Sequence, residues 1–217
     1  MIAILLGAPG SGKGTQAKTL SAKYGFHHLA TGDIFRSEIA EKTPLGLKAA
    51  DYVKSGKLVP DELVTEMVAA HLDAERGHYL LDGFPRTLAQ AESLSSILAQ
   101  ENLSINLVAF LKISQEDALK RLISRRVCSA CGEVYNTETR PVPSNGKCGK
   151  CGGTVTLRDD DAEVTARKRL MVFEDITRPM IAYYKSESVF HEINANSAPE
   201  EVSRSLSALI DSVLVSK

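Results

Sequence analysis

The sequence is poor in several features that would assign it to a protein class at once. Among its 217 residues there is no tryptophan, only 6% are aromatic, and the formal net charge is −1. A chain so close to neutral exerts no long-range attraction on nucleic acid or on an anionic membrane, so we expect neither as a partner. No apolar stretch approaches the roughly 20 residues that a membrane-spanning helix needs.

The opening apolar run, Met1–Leu6, is also too short for a secretory signal and leads directly into a glycine-rich loop. We therefore interpret it as a β-strand and expect a soluble, cytoplasmic protein. The remaining composition, 43% hydrophobic and 24% charged, is ordinary for a globular chain. A length of 217 residues suffices for one compact domain with insertions.

A strand, a glycine-rich loop and a helical pattern follow one another at the start of the chain. The loop runs from Gly7 to Thr15 and has the pattern G-x-x-x-x-G-K-G-T. Its glycines allow successive backbone N–H groups to point into one concavity, to which the following helix adds its positive N-terminal end. Lys13 then stands where it reaches the β- and γ-phosphates of a nucleotide. The pattern predicts a phosphate-binding loop, and a glycine-rich turn without a ligand is the alternative.

The residue that holds a metal beside this loop has to be sought elsewhere in the chain. Gly14 separates Lys13 from Thr15, whereas the common pattern has the hydroxyl residue directly after the lysine, so Thr15 is not expected to ligate Mg²⁺. Asp82 is the candidate, because it ends the predicted strand at 79–81, where α/β sheets bind their ligands. A cap on the following helix is the alternative interpretation of Asp82.

The cysteines form two CxxC pairs, Cys128 with Cys131 and Cys148 with Cys151. In a chain without secretory features this spacing predicts a four-thiolate tetrahedral site. Zn²⁺ is the expected metal, and Fe²⁺, two disulfides or free thiols are the alternatives. Because the surrounding segment lacks apolar residues for a core of its own, we expect the metal to hold it together.

Strands alternate with helices along the chain, which indicates a parallel sheet with helices on both faces. We expect an α/β fold with a five-stranded parallel sheet and two insertions, at about residues 31–59 and 127–161. A helix capped by Thr31 or Asp33 would open the first insertion. The other helices are predicted at about 14–24, 43–54, 62–75, 87–100, 114–126, 162–185 with a kink at Pro179, and 199–215, and the strands at about 2–6, 26–29, 79–81, 105–113 and 189–193.

The arginines point to phosphoryl transfer. This reaction spreads negative charge over the oxygens of the transferring group, and arginine binds such oxygens at two points while staying protonated. The sequence has no Ser-His-Asp or Cys-His nucleophile pattern, which favours direct transfer to an acceptor. Five arginines lie beside a loop, an insertion or a helix end: Arg36, Arg86, Arg125, Arg158 and Arg169. Helix capping by Thr31 and Asp33, with a solvated Arg36, is the alternative explanation for that stretch.

Six motifs, in order along the chain, resemble the adenylate kinase family in its long-lid form typical of bacteria. They begin at Gly7, Thr31, Gly56, Asp82, Arg121 and Arg158 and read GAPGSGKGT, TGDIFR, GKLV, DGFPRT, RLISRRV and RDD. The resemblance covers essentially the whole chain. It implies a P-loop nucleoside monophosphate kinase fold with a core of residues 1–30, 60–126 and 162–217, a mobile AMP-binding insertion at 31–59 and a mobile zinc-bearing lid at 127–161.

The resemblance also implies an activity: reversible, Mg²⁺-dependent phosphoryl transfer from ATP to AMP, giving two ADP and maintaining adenine nucleotide balance, by a monomer. The residues implied to bind ATP are Gly10, Ser11, Gly12, Lys13, Gly14, Thr15, Arg121, Arg125, Val134 and Tyr135. Those implied to bind AMP are Thr31, Arg36, Lys57, Leu58, Val59, Gly83, Phe84, Pro85, Arg86, Gln90, Arg158 and Arg169. The implied catalytic set is Lys13, Asp82, Arg86, Arg125, Arg158 and Arg169, and the implied ligands of a structural lid zinc are Cys128, Cys131, Cys148 and Cys151.

Because water competes with AMP as an acceptor, we expect both insertions to close over the nucleotides before transfer. Two stretches depart from the family pattern: Asp159 stands where members often carry lysine, and residues 194–199 lack the frequent Gly-x-x-x-Pro pattern, which leaves the adenine contact there open. The alternative functions are a kinase for CMP, UMP or GMP, a zinc-ribbon protein that hydrolyses ATP and binds nucleic acid, and a non-catalytic nucleotide sensor. The near-neutral charge argues against the second, and the presence of Lys13 with the arginines argues against the third.

Overall fold

The computed structural model describes residues 1–73 and 77–215. The strands are β1 (Ile2–Gly7), β2 (His27–Ala30), β3 (Tyr79–Asp82), β4 (Ile105–Lys112), β5 (Arg125–Cys128), β6 (Val134–Asn136), β7 (Val155–Thr156) and β8 (Phe190–Asn194). The helices are α1 (Lys13–Tyr24), α2 (Thr31–Ala40), α3 (Pro44–Ser55), α4 (Asp61–His71), α5 (Leu88–Gln100), α6 (Gln115–Ile123), α7 (Glu163–Val172), α8 (Arg178–Lys185) and α9 (Pro199–Val215). In the described part of the chain no helix is both long and apolar enough to cross a membrane.

The centre of the fold is a five-stranded parallel sheet in the order β2-β3-β1-β4-β8, which confirms the predicted α/β class. Ile4 of β1 lies between Leu81 of β3 and Val108 of β4. Every residue of β1 is buried. Because successive side chains of a strand point to opposite faces, helices must cover the sheet on both sides. Helix α1 packs against α9, and α5 packs against α4 and α8.

The first excursion from the sheet, between β2 and α4, consists of helices α2 and α3 packed against each other. Their approach depends on Gly46, because a Cβ atom there would lie 2.0 Å from the carbonyl oxygen of Glu38. Thr43 starts α3 by accepting a hydrogen bond from the Gly46 backbone N–H at 3.0 Å. The buried Phe35 and Ala49 belong to the same hydrophobic cluster as the sheet.

The second excursion, between α6 and α7, contains a three-stranded antiparallel sheet in the order β6-β5-β7. The sequence did not indicate these strands, which have only four, three and two residues. One prediction is wrong here: α6 ends at Ile123, and Arg125 and Arg126 lie in β5 and not in the helix. Arg121 and Arg125 therefore do not share a helix face.

The long helix predicted over residues 162–185 is divided into α7 and α8 by a π-helical turn at Phe173–Thr177. There the Arg178 backbone N–H donates to the carbonyl of Phe173, five residues earlier. Pro179 follows at once and has no N–H to continue the regular ladder, which accounts for the interruption just before it. Helix α4 ends at His71, and its predicted end at residue 75 lies outside the described residues.

Candidate active site

A cleft of about 1440 Å³ opens at the carboxyl ends of β1, β2 and β3 and extends beneath both excursions. Its volume exceeds the roughly 300–1,000 Å³ of a pocket for one drug-sized ligand, so it has room for two nucleotides. Of the predicted nucleotide-binding and catalytic residues, all but Phe84 line the cleft. Phe84 is fully buried in the core, so its side chain is not available to a nucleotide.

The phosphate-binding loop joins β1 to α1, and α6 lies close against it. Gly10 has φ +85°, and a Cβ atom there would lie 2.5 Å from the carbonyl oxygen of Ala118 in α6. Gly12 has φ +94° and begins α1 without a capping side chain. These two positions need glycine because of their left-handed backbone, and Gly10 also because of the lack of space. The first turn of α1 therefore directs its free N–H groups into the cleft.

Lys13 folds back over this loop. Its ammonium donates hydrogen bonds to the carbonyl oxygens of Gly7 at 2.7 Å and of Ala8 at 3.0 Å. Burial lowers the pKa of Lys13 to about 8, although the attraction of Asp82 opposes that change. The protein groups around it therefore compensate this charge only in part, and an anion bound on the loop would stabilise it.

Asp82 ends β3 beside the loop. A Cβ atom on Gly14 would lie 3.4 Å from Asp82 Oδ2, and His28 Nε2 lies 3.4 Å from the same oxygen. The capping interpretation of Asp82 is wrong, because the cap of α5 is Thr87, whose hydroxyl accepts a hydrogen bond from the backbone N–H of Gln90. Asp82 thus stands where a carboxylate can hold a cation against phosphates on the loop.

The opposite side of the cleft is built around Gly83, which follows Asp82 with φ +79°. Its carbonyl oxygen accepts hydrogen bonds from Thr31 Oγ1 at 2.9 Å and from Arg86 Nε at 2.7 Å. The cap of α2 is Ala30, which makes no side-chain capping bond, so the prediction that Thr31 or Asp33 caps this helix is wrong. Thr31 instead fixes the turn that carries Arg86 into the cleft.

Arg36 extends from α2 toward the second excursion. It pairs with Asp33 on its own helix, and its Nη1 lies 3.8 Å from Asp160 Oδ2. Its side chain is 32% exposed, so Arg36 is not the freely solvated arginine of the alternative explanation.

Three arginines from different elements converge on two neighbouring carboxylates. Arg125 binds Asp161 through two hydrogen bonds of 2.7 and 2.6 Å, and Arg158 binds Asp160 through two of 3.1 and 3.0 Å. Arg169 Nη1 joins both by donating to Asp161 Oδ1 at 2.7 Å and to the carbonyl of Asp160 at 2.9 Å. The two aspartates belong to the 3₁₀ turn at Asp159–Asp161, and the motif pattern assigned no role to their side chains.

Charge compensation is strong in this cluster. Burial would raise the pKa of Asp160, but Arg169, Arg158 and Arg36 outweigh it and lower that pKa to about 2. Burial lowers the pKa of Arg169 to about 10, against the attraction of Asp160 and Asp161. All these groups are charged at neutral pH, so the arginines already hold anions where phosphate oxygens could bind.

The four cysteine sulfurs gather at one point of the second excursion, within 4.8 Å of one another. Cys128 Sγ lies 3.5 Å from Cys151 Sγ, and Cys131 Sγ lies 3.7 Å from Cys148 Sγ. Both distances far exceed the roughly 2.05 Å of a disulfide bond, which rules out the disulfide alternative in this structure. Four sulfurs at about 2.3 Å from a tetrahedral ion would lie about 3.8 Å apart, so the donor set fits a metal such as Zn²⁺.

A hydrogen bond from a neighbouring tyrosine favours the thiolate form of one of the four cysteines. A hydrogen bond from the Tyr135 hydroxyl, at 3.4 Å from Cys148 Sγ, lowers the pKa of the Cys148 thiol to about 6. The Gly149 backbone N–H donates to the same hydroxyl at 2.8 Å. Tyr135 lines the cleft, but its hydroxyl is therefore engaged with the cysteine cluster and not with the nucleotide side.

Two contacts at the edge of the cleft were not anticipated from the sequence. Lys18 of α1 donates from Nζ to the carbonyl oxygen of Gly132 at 2.7 Å and so connects the core to the second excursion. Gln16 donates from Nε2 to the carbonyl oxygen of Pro199 at 2.8 Å and fixes the loop before α9. That loop, which departs from the family pattern, lines the cleft through Ala195, Ser197 and Pro199.

Known proteins resemble the chain over most of its length. A sequence model of the family described as "Adenylate kinase" matches residues 5–189. A protein named adenylate kinase from Thermodesulfovibrio yellowstonii is 43% identical over 211 residues, covering 96% of this chain and 98% of its own. Similar proteins of that name occur in Clostridium perfringens, 43% identical over 211 residues (96% and 98%), and in Clostridium beijerinckii, 43% identical over 209 residues (95% and 97%). These matches do not favour the alternative functions.

Proposed function

Since the chain belongs to the adenylate kinase family and transfers a phosphoryl group from ATP to AMP to give two ADP, we propose that its cleft holds the two nucleotides end to end. ATP would lie on the phosphate-binding loop and AMP beneath α2 and α3. The observation that carries this proposal is that one cleft joins Lys13 and Asp82 on one side to Thr31, Arg36 and Arg86 on the other.

On this proposal the ATP phosphates bind the backbone N–H groups of residues 10–15 and the ammonium of Lys13, while Arg121, Arg125, Val134 and Tyr135 flank the nucleotide. AMP is held by Thr31, Arg36, the backbone of Lys57, Leu58 and Val59, the turn formed by Gly83, Phe84 and Pro85, and the side chains of Arg86 and Gln90. The turn is well suited to this task, because Thr31 and Arg86 both hydrogen-bond the carbonyl of Gly83.

The transfer itself needs neutralisation of charge, which Lys13, Arg86, Arg125, Arg158 and Arg169 provide. The last three bind Asp160 and Asp161. Phosphate oxygens would exchange with these carboxylates, so that the same planar forks hold the transferring group. The AMP phosphate oxygen then attacks the γ-phosphorus of ATP, and ADP leaves with the electron pair of the broken P–O bond.

Asp82 is the residue that would hold Mg²⁺, as its place beside the loop allows. The ion, which enzymes of this family use with ATP, neutralises phosphate charge when it is bound. We assign no metal contact to Thr15, since Gly14 displaces its hydroxyl from the usual position.

Residues 31–59 and 127–161 would act as two closing parts on a core of residues 1–30, 60–126 and 162–217. The contact of Arg36 with Asp160 brings the two parts together across the cleft. Closure would exclude water, which is otherwise a competing acceptor.

Zn²⁺ held by Cys128, Cys131, Cys148 and Cys151 would stabilise the lid and take no part in transfer, because four thiolates leave no open coordination position. We propose further that the protein acts as a monomer in the cytoplasm, as its family resemblance implies. Metal analysis of the purified protein tests whether zinc is bound. Sedimentation velocity tests whether the protein is a monomer.

The decisive experiment is to supply ATP, AMP and Mg²⁺ to the protein and to Lys13→Ala. We expect the variant to fold normally and to lose about 10²–10³-fold in turnover, the usual cost of removing one group that stabilises charge in the transition state. Lys23→Ala removes an exposed lysine from the same helix and should be fully active. Full activity of Lys13→Ala would contradict the placement of ATP on this loop.

A further inference from the structure

The side chain of Gln90 is held at both ends of its amide. It is 1% exposed, yet it lines the cleft. Its Oε1 accepts a hydrogen bond from the backbone N–H of Arg86 at 2.8 Å, and its Nε2 donates to Asp61 Oδ1 at 2.8 Å. The second carboxylate oxygen of Asp61 accepts from Thr87 Oγ1 at 2.7 Å. Asp61, the first residue of α4, thereby joins that helix to the start of α5.

These partners allow one orientation of the amide and exclude the other. A backbone N–H can only donate, so Arg86 selects Oε1, and an ionised carboxylate can only accept, so Asp61 selects Nε2. A flipped amide would set two donors against each other at Arg86 and two acceptors against each other at Asp61. Each repulsive contact would also leave a buried polar group without a partner.

The fixed amide still has hydrogen-bonding capacity to offer. Oε1 keeps a second lone pair and Nε2 keeps a second hydrogen. Adenine offers the complementary pair on its pairing edge, a donor at the 6-amino group and an acceptor at N1. Hypoxanthine and guanine offer the reverse, an acceptor at O6 and a donor at N1, so the same amide orientation opposes them.

We propose that Asp61 is a positioning residue that sets the base selectivity of the monophosphate site, by holding Gln90 in the orientation that pairs with adenine and opposes 6-oxopurines. This inference rests on the proposed placement of AMP beside Gln90. A site built from buried, oriented polar groups discriminates strongly because the wrong base leaves those groups unpaired.

The test is Asp61→Asn, which keeps the shape of the side chain but allows the group facing Gln90 to be a donor. We expect KM for AMP to rise about tenfold, and the preference for AMP over IMP, measured as kcat/KM and as a ratio of dissociation constants by calorimetry, to fall about tenfold. Turnover at saturation and KM for ATP should stay within about twofold, because Asp61 does not touch the reacting atoms.

Glu62→Gln is the matched control, since it removes one negative charge from the same turn of α4 at an exposed position and should leave the preference unchanged. Thermal melting and ATP affinity establish that each variant is folded. If Asp61→Asn does not fold, Asp61→Ser serves in its place, because α4 uses no side-chain capping bond and a serine hydroxyl, unlike a carboxylate, does not require Gln90 to present a donor.

An unchanged preference for AMP over IMP in a folded Asp61 variant would overturn the inference. Gln90→Ala separates this failure from that of the proposed function. If Gln90→Ala raises KM for AMP while the Asp61 variants keep full selectivity, AMP lies beside Gln90 and the role of Asp61 is wrong. If Gln90→Ala leaves KM for AMP unchanged, the placement of AMP is itself wrong.

Discussion

The two excursions from the central sheet keep their shape by different means. Helices α2 and α3 place Phe35 and Ala49 in the same hydrophobic cluster as the sheet. Within residues 124–158, all of which the structure describes, the buried hydrophobic side chains are Cys128, Tyr135 and Cys148, and they form a separate cluster. The first excursion is thus stabilised as part of the core, and the second would depend on the metal that we propose for its four sulfurs.

The magnitudes support this distinction. Full burial of one large apolar side chain contributes about 1.5–3 kcal/mol, whereas a sheet with strands of two to four residues is too short to be stable alone. A structural zinc site contributes roughly 10–16 kcal/mol in small peptides. A substitution that destabilises the first excursion should therefore lower the unfolding temperature of the whole molecule. A substitution that weakens the proposed metal site should lower the unfolding temperature of the second excursion alone.

The largest effect is expected from Cys128→Ser. With three thiolates left, most of the metal-binding free energy is lost, so calorimetry should show a lid transition moved down by more than about 10 °C and a nearly unchanged core transition. Activity at moderate temperature should fall less than thermal stability does. A greater loss of activity than of stability would mean that the metal acts in the chemistry, and one joint transition would mean that the lid is not a separate unit.

Gly46→Ala should produce the opposite pattern. Its Cβ atom would lie 2.0 Å from the carbonyl of Glu38, so α2 and α3 must separate, at a cost of about 1–3 kcal/mol in the free energy of unfolding. We expect one lowered core transition and unchanged metal content. Lys48→Ala, an exposed change on the same helix, should remain within about 0.5 kcal/mol. A lid transition lowered by Gly46→Ala would contradict the assignment of this excursion to the core.

The two sides of the cleft should also differ in their response to pH. Burial disfavours the charge of Lys13 and lowers its pKa to about 8, and bound phosphates would raise that pKa. Between pH 8 and the ordinary lysine pKa of 10.5, ATP binding should therefore take up a proton, and affinity should fall up to tenfold per pH unit. Calorimetry in buffers of different ionisation enthalpy measures this uptake.

Lys13→Arg provides the control, since a guanidinium stays protonated in this range and the proton uptake should disappear. Arg169, whose pKa burial lowers to about 10, should contribute only near the upper end of this range, so the uptake between about pH 8 and 9 reports on Lys13. Equal uptake in Lys13→Arg would assign the proton to another group.

The smallest effect is expected where the two regions touch. Lys18→Met removes the 2.7 Å hydrogen bond to the Gly132 carbonyl, an exposed contact that should contribute less than about 1 kcal/mol. KM for ATP should rise two- to threefold, a change that corresponds to less than about 1 kcal/mol of binding free energy. Both melting transitions should stay unchanged. Lys23→Met, which is exposed on the same helix, should change neither. An equal rise in both variants would assign the effect to surface charge.

The sequence predicted the parts of the molecule whose geometry is local. The phosphate-binding loop is specified by glycines within nine residues, and the gathering of the four sulfurs by two short cysteine pairs, so spacing alone sufficed for both. Thr31 shows the limit of such reasoning, because a hydroxyl next to a helix start usually caps it, whereas here it binds Gly83 across the sheet edge. Local patterns do not reveal which partner the tertiary fold supplies.

The aspartates were missed for the same reason. Asp160 and Asp161 bind arginines from three elements, and Asp61 reaches the start of α5. Two of these contacts join residues far apart in the sequence, Asp161 with Arg125 at a separation of 36 residues and Asp61 with Gln90 at a separation of 29, and no local periodicity records such pairs. The strands β5–β7 were missed because two to four residues are too few to show an alternating pattern.

The pairing of Arg125, Arg158 and Arg169 with Asp160 and Asp161 has a consequence for the solvent in which the enzyme can work. Because the counterions of these cations are part of the polypeptide, they cannot be washed out by dilution, and chloride has little to gain by entering. While the arginines remain paired with these carboxylates, the cleft should therefore keep its arrangement from dilute buffer to high salt, and sensitivity to ionic strength should arise when a nucleotide takes the place of the carboxylates.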